Sequence, residues 1–435
     1  MSCTRHVTDF EYPSPETLEC PFPFYAALRE EAPVHRLPTG EYLVSRWSDI
    51  IAVASAPEIY SNHIGPSNAG LPGDLGIDVD TSGRFTPWQM PFSDRPEHRL
   101  KRSLGLMLTT PDRMRSYPSL IHRHVDELID GFCDRGHAEL VSEFADLLPT
   151  RVVNEIFGLQ FHERPDSQAT DASNPTVTNT GVGTRLASDE HKARMKTAAV
   201  RRAMYYRQAI LDRAEKPTDD FTSVIVKAKL ERDGELDLGY LTVELMNFHG
   251  AGIFTTAHML ASALLLLLQH PDEVQRLRAD PSRAGPVIDE TLRLESPVQW
   301  LQRITLQDSE IAGAKVPKGA ILLLVWAAAN RDEAKFPEAD RFWPDRPGKV
   351  GDRISGQLAF GHGAHTCIGA PVARLEGKIA LNRLLERLPN LRLSDQNDYK
   401  HILDNNHRAP RAVHVDFDVS RRHSSAPAAA AGAMG

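Results

Sequence analysis

The stretch Phe360-Gly-His-Gly-Ala-His-Thr-Cys-Ile-Gly-Ala-Pro-Val-Ala-Arg-Leu-Glu376 carries one cysteine, Cys367, at the end of a glycine-rich loop. A helix is predicted directly after it, because Pro371 suits a first helical turn and apolar residues then recur at helical spacing. The free N–H groups and the dipole of a helix N-terminus favour a thiolate. Glycines on both sides let the backbone approach a flat, bulky group. The stretch therefore predicts a cysteine that acts as a nucleophile or as a metal ligand.

Three kinds of site could use this loop. A phosphate loop of a dinucleotide-binding protein would need a third glycine where Thr366 stands and an acidic residue farther on, and both are missing. A zinc ion held by His362, His365 and Cys367 is chemically possible, although these ligands lack the usual paired spacing and a fourth partner. The third kind is a haem whose iron is bound by the thiolate.

The segment resembles the haem-ligand signature of the cytochrome P450 monooxygenases. Every specified position of that signature is filled, by Phe360, Gly361, Gly363, His365, Cys367 and Gly369. The resemblance implies haem b, with Cys367 as the iron ligand and Phe360, Gly361, His365 and Gly369 around it. It also implies one large, mainly α domain with a small β region over residues 21–417, after an arm at 1–20 and before a tail at 418–435 that we expect to be disordered.

Three further segments resemble signatures of the same family. Glu290-Thr-Leu-Arg293 and the later Arg346 imply a buried ion-pair network behind the haem. His98 and Arg102 lie one turn apart on a predicted helix, and Arg303 follows the Glu-x-x-Arg segment. Two buried carboxylates need cationic or hydrogen-bonding partners. The resemblance therefore implies that His98, Arg102, Arg303 and His365 hold the haem propionates.

The stretch Gly250-Ala-Gly-Ile-Phe-Thr-Thr-Ala-His-Met259 places two glycines where a buried helix would favour leucine, and glycine costs about 1 kcal/mol relative to alanine there. The resemblance places this stretch on the long helix that crosses the distal face of the haem. It implies that Ala251 and Gly252 leave room for O2, and that Thr255 hydrogen-bonds dioxygen and locally opens the helix.

Phe254 departs from the family pattern, which has an acid before the threonine as part of the proton relay. Phenylalanine carries no exchangeable proton. We expect water or a polar substrate group to supply the proton, or an atypical reaction such as peroxide-driven oxygenation or oxidative coupling. His258, one turn farther on, could replace the acid, although a histidine packed into the core is the preferred interpretation.

The composition indicates a globular protein with no nucleic-acid or membrane partner. The 435 residues carry 50 basic and 58 acidic side chains, a net charge of −8, which does not attract phosphate backbones or anionic lipids. The four cysteines form no CxxC pair, which suits a reducing cytoplasm. Residues 248–268 carry no formal charge and would span about 30 Å as a helix, but their polar first half favours a soluble core helix over a membrane span.

Secondary structure was predicted for several other segments from periodicity and turn residues. The predicted elements are a hairpin at 38–47, amphipathic helices at 118–144 and 191–214, a strand at 319–325, a glycine- and proline-rich lid or binding loop at 62–94, and a mobile polar segment at 167–188.

The sequence therefore predicts a haem-thiolate monooxygenase that takes O2 and a small to mid-sized, mostly apolar organic substrate. Electrons would come from a ferredoxin and a ferredoxin reductase, and a haem-binding sensor or carrier is the alternative outside catalysis. Basic residues expected to receive the ferredoxin are Arg95, Arg99, Lys101, Arg374 and Lys378. Residues expected to line the substrate pocket are Trp88, Met90, Phe248, Phe254, Val298, Gln299 and Leu301.

Overall fold

The computed structural model describes residues 5–63, 90–160, 203–351 and 353–422. Helices dominate it. They are α1 Pro15–Glu19, α2 Phe22–Glu31, α3 Trp47–Ala54, α4 Glu97–Leu106, α5 Pro111–Asp130, α6 Leu147–Phe157, α7 Phe221–Asp233, α8 Leu238–Leu268, α9 Pro271–Ala279, α10 Ala284–Leu294, α11 Trp326–Ala329 and α12 Ala370–Arg387. Residues 203–215 are also helical.

The long helix α8 organises the core. Its 31 residues begin where the Asp237 carboxylate accepts a hydrogen bond from the Tyr240 backbone N–H at 3.0 Å, a normal N-cap. By length and composition α8 could cross a membrane, but 67% of its most apolar window is buried inside the protein. The apolar segment predicted from residue 248 therefore belongs to a core helix, which begins ten residues earlier than its uncharged part.

Helix α12, which follows the cysteine loop, packs closely against α8 and α10. A Cβ atom at Gly377 would lie 2.7 Å from Ile288 on α10 and 3.1 Å from Met259 on α8. Real Cβ atoms do not approach this closely, so glycine permits the contact among the three helices. The helix that carries the cysteine loop is thereby fixed against the helix that faces it.

A five-stranded sheet lies at one end of the helical core. Its strands, in spatial order, are β1 Val34–Arg36, β2 Tyr42–Val44, β8 Ile321–Leu324, β5 Leu301–Thr305 and β3 Tyr60–Ser61. All neighbours are antiparallel except β2 and β8. The remaining strands are short: β4 His137–Glu139, β6 Ser309–Ile311, β7 Ala314–Val316, β9 Lys349–Val350, β10 Arg353–Ile354, β11 Arg392–Leu393 and β12 His414–Asp416.

The predicted hairpin at 38–47 and the predicted strand at 319–325 correspond to β1–β2 and β8. The helix predicted at 118–144 has the wrong bounds. Proline at the first turn starts α5 at Pro111, Pro118 is tolerated inside it, and the helix ends at Asp130 before Gly131. Strand β4 and a π-helical turn at Val141–Ala145 occupy the rest of that segment. Most of 62–94, all of 167–188, the first part of 191–214 and most of the tail lie outside the described residues.

A buried ion-pair network joins α10 to the segment before β9. Arg293 donates two hydrogen bonds of 2.8 Å to the two carboxylate oxygens of Glu290, and Arg346 donates to the same oxygens at 3.4 and 3.2 Å. The backbone N–H of Trp343 also donates to Glu290. Glu290 and Arg293 are fully buried. The spare guanidinium N–H groups donate to backbone carbonyls, including those of Asn330 and Ala339.

We predict that Glu290→Ala destabilises the fold severely. The substitution would leave two buried arginines without their carboxylate, and breaking a buried pair costs about 3–5 kcal/mol. Urea unfolding and the yield of soluble protein measure the effect. Lys227→Ala is the control, since Lys227 forms a solvent-exposed ion pair with Glu231. Loss of that pair should change the free energy of unfolding by no more than about 0.5 kcal/mol. Equal stability of the two variants would contradict the prediction.

Candidate functional site

The loop before Cys367 is shaped by two glycines in the left-handed region. Gly361 and Gly363 both have φ of +71°, a conformation that side chains other than glycine rarely adopt. The Cys367 N–H donates to the Phe360 carbonyl at 2.8 Å and the Gly361 N–H donates to the Leu358 carbonyl at 2.8 Å. These bonds close the loop and fix the backbone of the cysteine at the start of α12.

The Cys367 sulfur faces an internal pocket. A water-sized probe reaches the side chain, although protein atoms surround it on nearly all sides. Burial raises the pKa of the Cys367 thiol, while the backbone N–H groups of Gly369 and Ala370 and the charges of Arg102 and Arg374 act to lower it. The helix N-terminus therefore favours a thiolate as predicted, but burial outweighs it. A metal ion that replaces the thiol proton would resolve this conflict.

One stripe of α8 stays accessible within an otherwise buried helix. Its members are spaced by three or four residues, and they are Asn247, Gly250, Ala251, Phe254 and Thr255. The Thr255 hydroxyl donates to the Ala251 carbonyl at 2.7 Å, and α8 remains helical through this contact. Helix α8 and the cysteine loop are close neighbours, since a Cβ at Gly105 of α4 would touch both Ile368 of the loop and Phe248 of α8.

Four cationic or imidazole side chains gather beside the pocket. The rings of His98 on α4 and His365 in the loop stack with centroids 3.9 Å apart, and His98 Nε2 is buried without a hydrogen-bond partner. Arg303 on β5 is buried. Arg102 lies close enough to Cys367 for each charge to shift the pKa of the other. Asp94 is the acidic group that acts on this cluster.

Arg102 and Arg303 bring positive charge into a partly desolvated site. Burial, and then the charges of His98 and Arg303, lower the pKa of His365 to about 3. Burial lowers the pKa of Arg303 to about 10 and that of His98 below its ordinary value. Anionic groups placed here would relieve the repulsion and would accept a hydrogen bond from His98 Nε2. The site therefore fits a ligand that carries a metal ion and, at its edge, carboxylates. The Cys367 thiolate would bind the metal ion, and the cluster would bind the carboxylates.

A zinc site does not fit the same residues. Within the described parts of the chain no three His, Cys, Asp or Glu side chains converge as metal ligands do. The imidazole of His365 stacks on His98 instead of joining His362 and Cys367 around one point.

Comparison with known proteins agrees with this geometry. The family model of cytochrome P450 matches residues 81–284 and 285–408. The chain is 31% identical over 382 residues to cytochrome P450 107B1 of Saccharopolyspora erythraea, covering 86% of this chain and 89% of that protein. This chain belongs to the cytochrome P450 family.

Two other relatives place it among the bacterial members. The vitamin D(3) 25-hydroxylase of Pseudonocardia autotrophica is 32% identical over 380 residues, covering 86% of this chain and 88% of that protein. The structure of a cytochrome P450 from Chondromyces apiculatus superposes with a TM-score of 0.77 at 30% identity, covering 94% of this chain and 97% of that chain. The mainly α fold predicted from the sequence is confirmed.

Cytochromes P450 bind haem b, and the described residues fit it. Cys367 would bind the iron, and the flat loop from Phe360 to Gly369 would support the porphyrin. The Gly369 Cα hydrogen points toward the sulfur, since a Cβ there would come within 3.8 Å of Cys367 Sγ. His98, Arg102, Arg303 and His365 would hold the two propionates.

The structure divides the predicted pocket residues into two groups. Phe254, Val298 and Leu301 are accessible, as pocket residues would be. Phe248 is buried, packs its ring on Phe221 and approaches Gly105, so its contact with a substrate stays a prediction. Trp88 lies outside the described residues.

Gln299 and Met90 are also buried, and their place in the pocket stays a prediction. Gln299 is buried, donates to the Ser296 carbonyl at 2.6 Å and accepts from Tyr25 OH at 3.4 Å. It therefore points toward the N-terminal helices. Met90 is buried in the main core, and its backbone N–H donates to Glu244 at 3.3 Å.

Gly252 packs closely against α6, and its role beside the oxygen site stays a prediction. A Cβ there would lie 3.2 Å from Val153 on α6, so glycine allows α6 and α8 to approach. Gly250, where a Cβ would meet nothing within 4 Å, is the glycine on the accessible stripe. The sequence shows that small residues interrupt the run of large side chains on this helix. It does not show which face of the helix each small residue occupies.

The predicted donor patch is smaller than the sequence indicated. Lys101 is buried and pairs with Glu97 at 2.8 Å and with Glu244 at 3.6 Å. Arg374 is mostly buried and bonds Asp289 at 2.7 Å. Arg95 and Arg99 are exposed and Lys378 is partly exposed, so three of the five predicted cations reach solvent.

We predict that Arg102→Leu and Arg303→Leu each accelerate haem loss. Hydrogen bonds to charged groups contribute about 1.5–3 kcal/mol, so haem transfer to apomyoglobin should become roughly ten- to hundred-fold faster. Arg99→Leu removes an exposed arginine from the same helix as Arg102 and should leave the transfer rate unchanged. Equal rates in all three variants would show that the cluster does not hold the propionates.

Proposed function

We propose that this protein is a haem-thiolate monooxygenase that hydroxylates a small to mid-sized, mostly apolar compound. The reaction is RH + O2 + 2 e⁻ + 2 H⁺ → ROH + H2O. A ferredoxin and its reductase supply the electrons, in the cytoplasm. Members of this family need O2, a substrate and a redox partner. The haem, when bound, activates O2, and the cysteine thiolate donates electron density that favours O–O cleavage.

The accessible stripe of α8 is the observation that carries the proposal. Thr255 keeps its hydroxyl on the open face, hydrogen-bonded to the Ala251 carbonyl at 2.7 Å. If the hydroxyl turns away from this carbonyl, it can donate its one proton to oxygen and accept another in turn. Ala251 and Gly250 keep the adjacent surface free of large side chains. A haem carrier or sensor would have no need of a hydroxyl on this face, so the stripe favours turnover.

The accessible side chains near the stripe support an apolar substrate. Phe254, Val298 and Leu301 supply apolar surface, and Leu301 is 39% exposed. A relative is named a vitamin D(3) 25-hydroxylase, a hydroxylation of the kind proposed here. Burial of apolar surface drives binding, and a few polar groups set the orientation.

Phe254 favours a second candidate, a peroxide-driven oxygenase or oxidative coupling enzyme. Its ring replaces the acid that family members normally have before the threonine, and it is partly accessible at that position. Peroxide brings its own protons to the reaction, so an enzyme that uses it has less need of an acid at 254.

Turnover assays separate these functions. Compounds that shift the haem from low spin to high spin would be tested with NADH, ferredoxin and reductase, and in parallel with hydrogen peroxide alone. We expect product from O2 and NADH. Product from peroxide alone would establish the second candidate, and spin shifts without product would establish a carrier.

We predict that Thr255→Ala diverts electrons from product to hydrogen peroxide. Side chains that transfer protons typically contribute about 10²–10⁴-fold, so product formation should fall by at least about ten-fold while NADH oxidation continues. Thr256→Ala is the matched control, because Thr256 is the adjacent threonine but is buried. Equal peroxide yields from the two variants would contradict a role for Thr255.

A further inference from the structure

We propose that His258 and His407, oriented by Asp404, conduct protons to Thr255 and replace the acid that Phe254 displaces. The proposal rests on the proposed monooxygenase function, since that reaction consumes two protons for each O2. It concerns three side chains from two distant segments of the chain, which meet beside the accessible stripe of α8.

His258 is buried but lies on the same face of α8 as the accessible stripe. It follows Ala251 by seven residues and Phe254 by four, so the three side chains lie on one face of α8. Thr255 precedes it by three residues, and side chains at this spacing are surface neighbours on a helix. His258 Nδ1 is buried and has no hydrogen-bond partner. A buried polar nitrogen without a partner is costly, which indicates that the ring serves more than packing.

His407 brings a second imidazole to the same place. Its ring centroid lies 5.8 Å from that of His258, with the planes at 67°. A small rotation of either ring, or one bridging water, suffices for proton transfer over this distance. His407 also pairs with Val298 in an isolated β-bridge, which places it next to an accessible residue predicted to line the pocket.

Asp404 fixes the orientation of His407. One carboxylate oxygen lies 3.7 Å from His407 Nδ1, and the other accepts the backbone N–H groups of Asn406 at 2.7 Å and His407 at 2.9 Å. Burial opposes the charge of Asp404, but its bonds to His407 and to the backbone lower the pKa of the carboxyl. Asp404 therefore stays ionised and is a positioning residue.

A small recess lies between this group and the N-terminal segment. Asp404 and His407 line it together with Tyr12, Thr17, Tyr25 and Gln299. The His407 side chain is 21% exposed, whereas His258 is buried. Protons can therefore enter at His407 and move inward to His258.

The proton transfers balance, because each histidine releases one proton for each proton that it accepts. Burial, and then repulsion from His407, lower the pKa of His258 to about 3, so its ring is neutral at rest. A neutral imidazole accepts a proton at one nitrogen as it releases one from the other, and a ring or tautomer change restores it. One proton moves from solvent through His407 and His258 to the Thr255 hydroxyl in each passage. Two passages, with two electrons from ferredoxin, meet the needs of one O2.

The test compares haem-loaded His258→Gln and His407→Gln with His270→Gln, which removes an imidazole just beyond the end of α8 that bonds the Leu266 carbonyl. The first assay is NADH oxidation at saturating reduced ferredoxin in air. The second is oxidation of guaiacol with hydrogen peroxide, H2O2 + 2 ArOH → 2 ArO• + 2 H2O, in which each phenol releases a proton with its electron, so no proton is drawn from solvent overall. Thermal melting and the carbon monoxide spectrum check that each variant is folded and loaded.

We expect the two relay variants to lose at least about ten-fold in NADH oxidation and to keep their peroxide-driven rate within about two-fold. His270→Gln should match the wild type in both assays. Relay variants that oxidise NADH like His270→Gln, or that lose both activities equally, would overturn the relay. A wild type that does not oxidise NADH would instead contradict the proposed function.

A second readout does not depend on activity. In protein labelled with ¹⁵N at histidine and held in the diamagnetic ferrous carbon monoxide form, Asp404→Asn should shift the ring nitrogens of both His407 and His258. A shift confined to His407 would show that the two imidazoles are not coupled, and would contradict the relay.

Discussion

The need to hold a cysteine sulfur inside the protein as a thiolate governs this structure. Burial alone raises the pKa of Cys367, so the fold must supply stabilising groups on every side. The left-handed glycines at 361 and 363 close the loop, and the N–H groups of Gly369 and Ala370 point toward the sulfur. The haem iron, when bound, would supply the remaining positive charge. The cation cluster beside the loop would then balance the haem propionates.

The cysteine loop and the buried ion-pair network are joined through adjacent residues of α10. Arg374 on α12 donates to Asp289 at 3.0 and 2.7 Å and stacks over the Phe360 ring at 4.4 Å. Asp289 is the neighbour of Glu290 on α10, whose carboxylate binds Arg293 and Arg346. A substitution that disturbs the ion-pair network would therefore also disturb the cysteine loop, through Glu290 and the adjacent Asp289. This coupling explains why charged side chains are buried so close to an apolar cofactor site.

The predictions that held depended on local chemistry. Glycines in a fixed pattern around Cys367 require particular backbone angles, and Glu290 and Arg293 share a helix face whatever surrounds them. What the sequence could not show is which way a side chain on a helix or strand faces in the fold. Gly252 turned toward α6, Lys101 turned into the core to meet Glu244, and Gln299 turned toward Tyr25. His407 was missed altogether, because only the fold brings it to α8 and no local pattern marks it.

The central claim is that Cys367 binds the haem iron as a thiolate. Reduction under carbon monoxide tests it most directly, since thiolate ligation gives a strongly red-shifted Soret band. We predict this band for the wild type and for Cys20→Ser and Cys133→Ser, and its loss in Cys367→Ser that still contains haem. A red-shifted band that persists in Cys367→Ser, or a wild type that contains haem but lacks the band, would contradict the account.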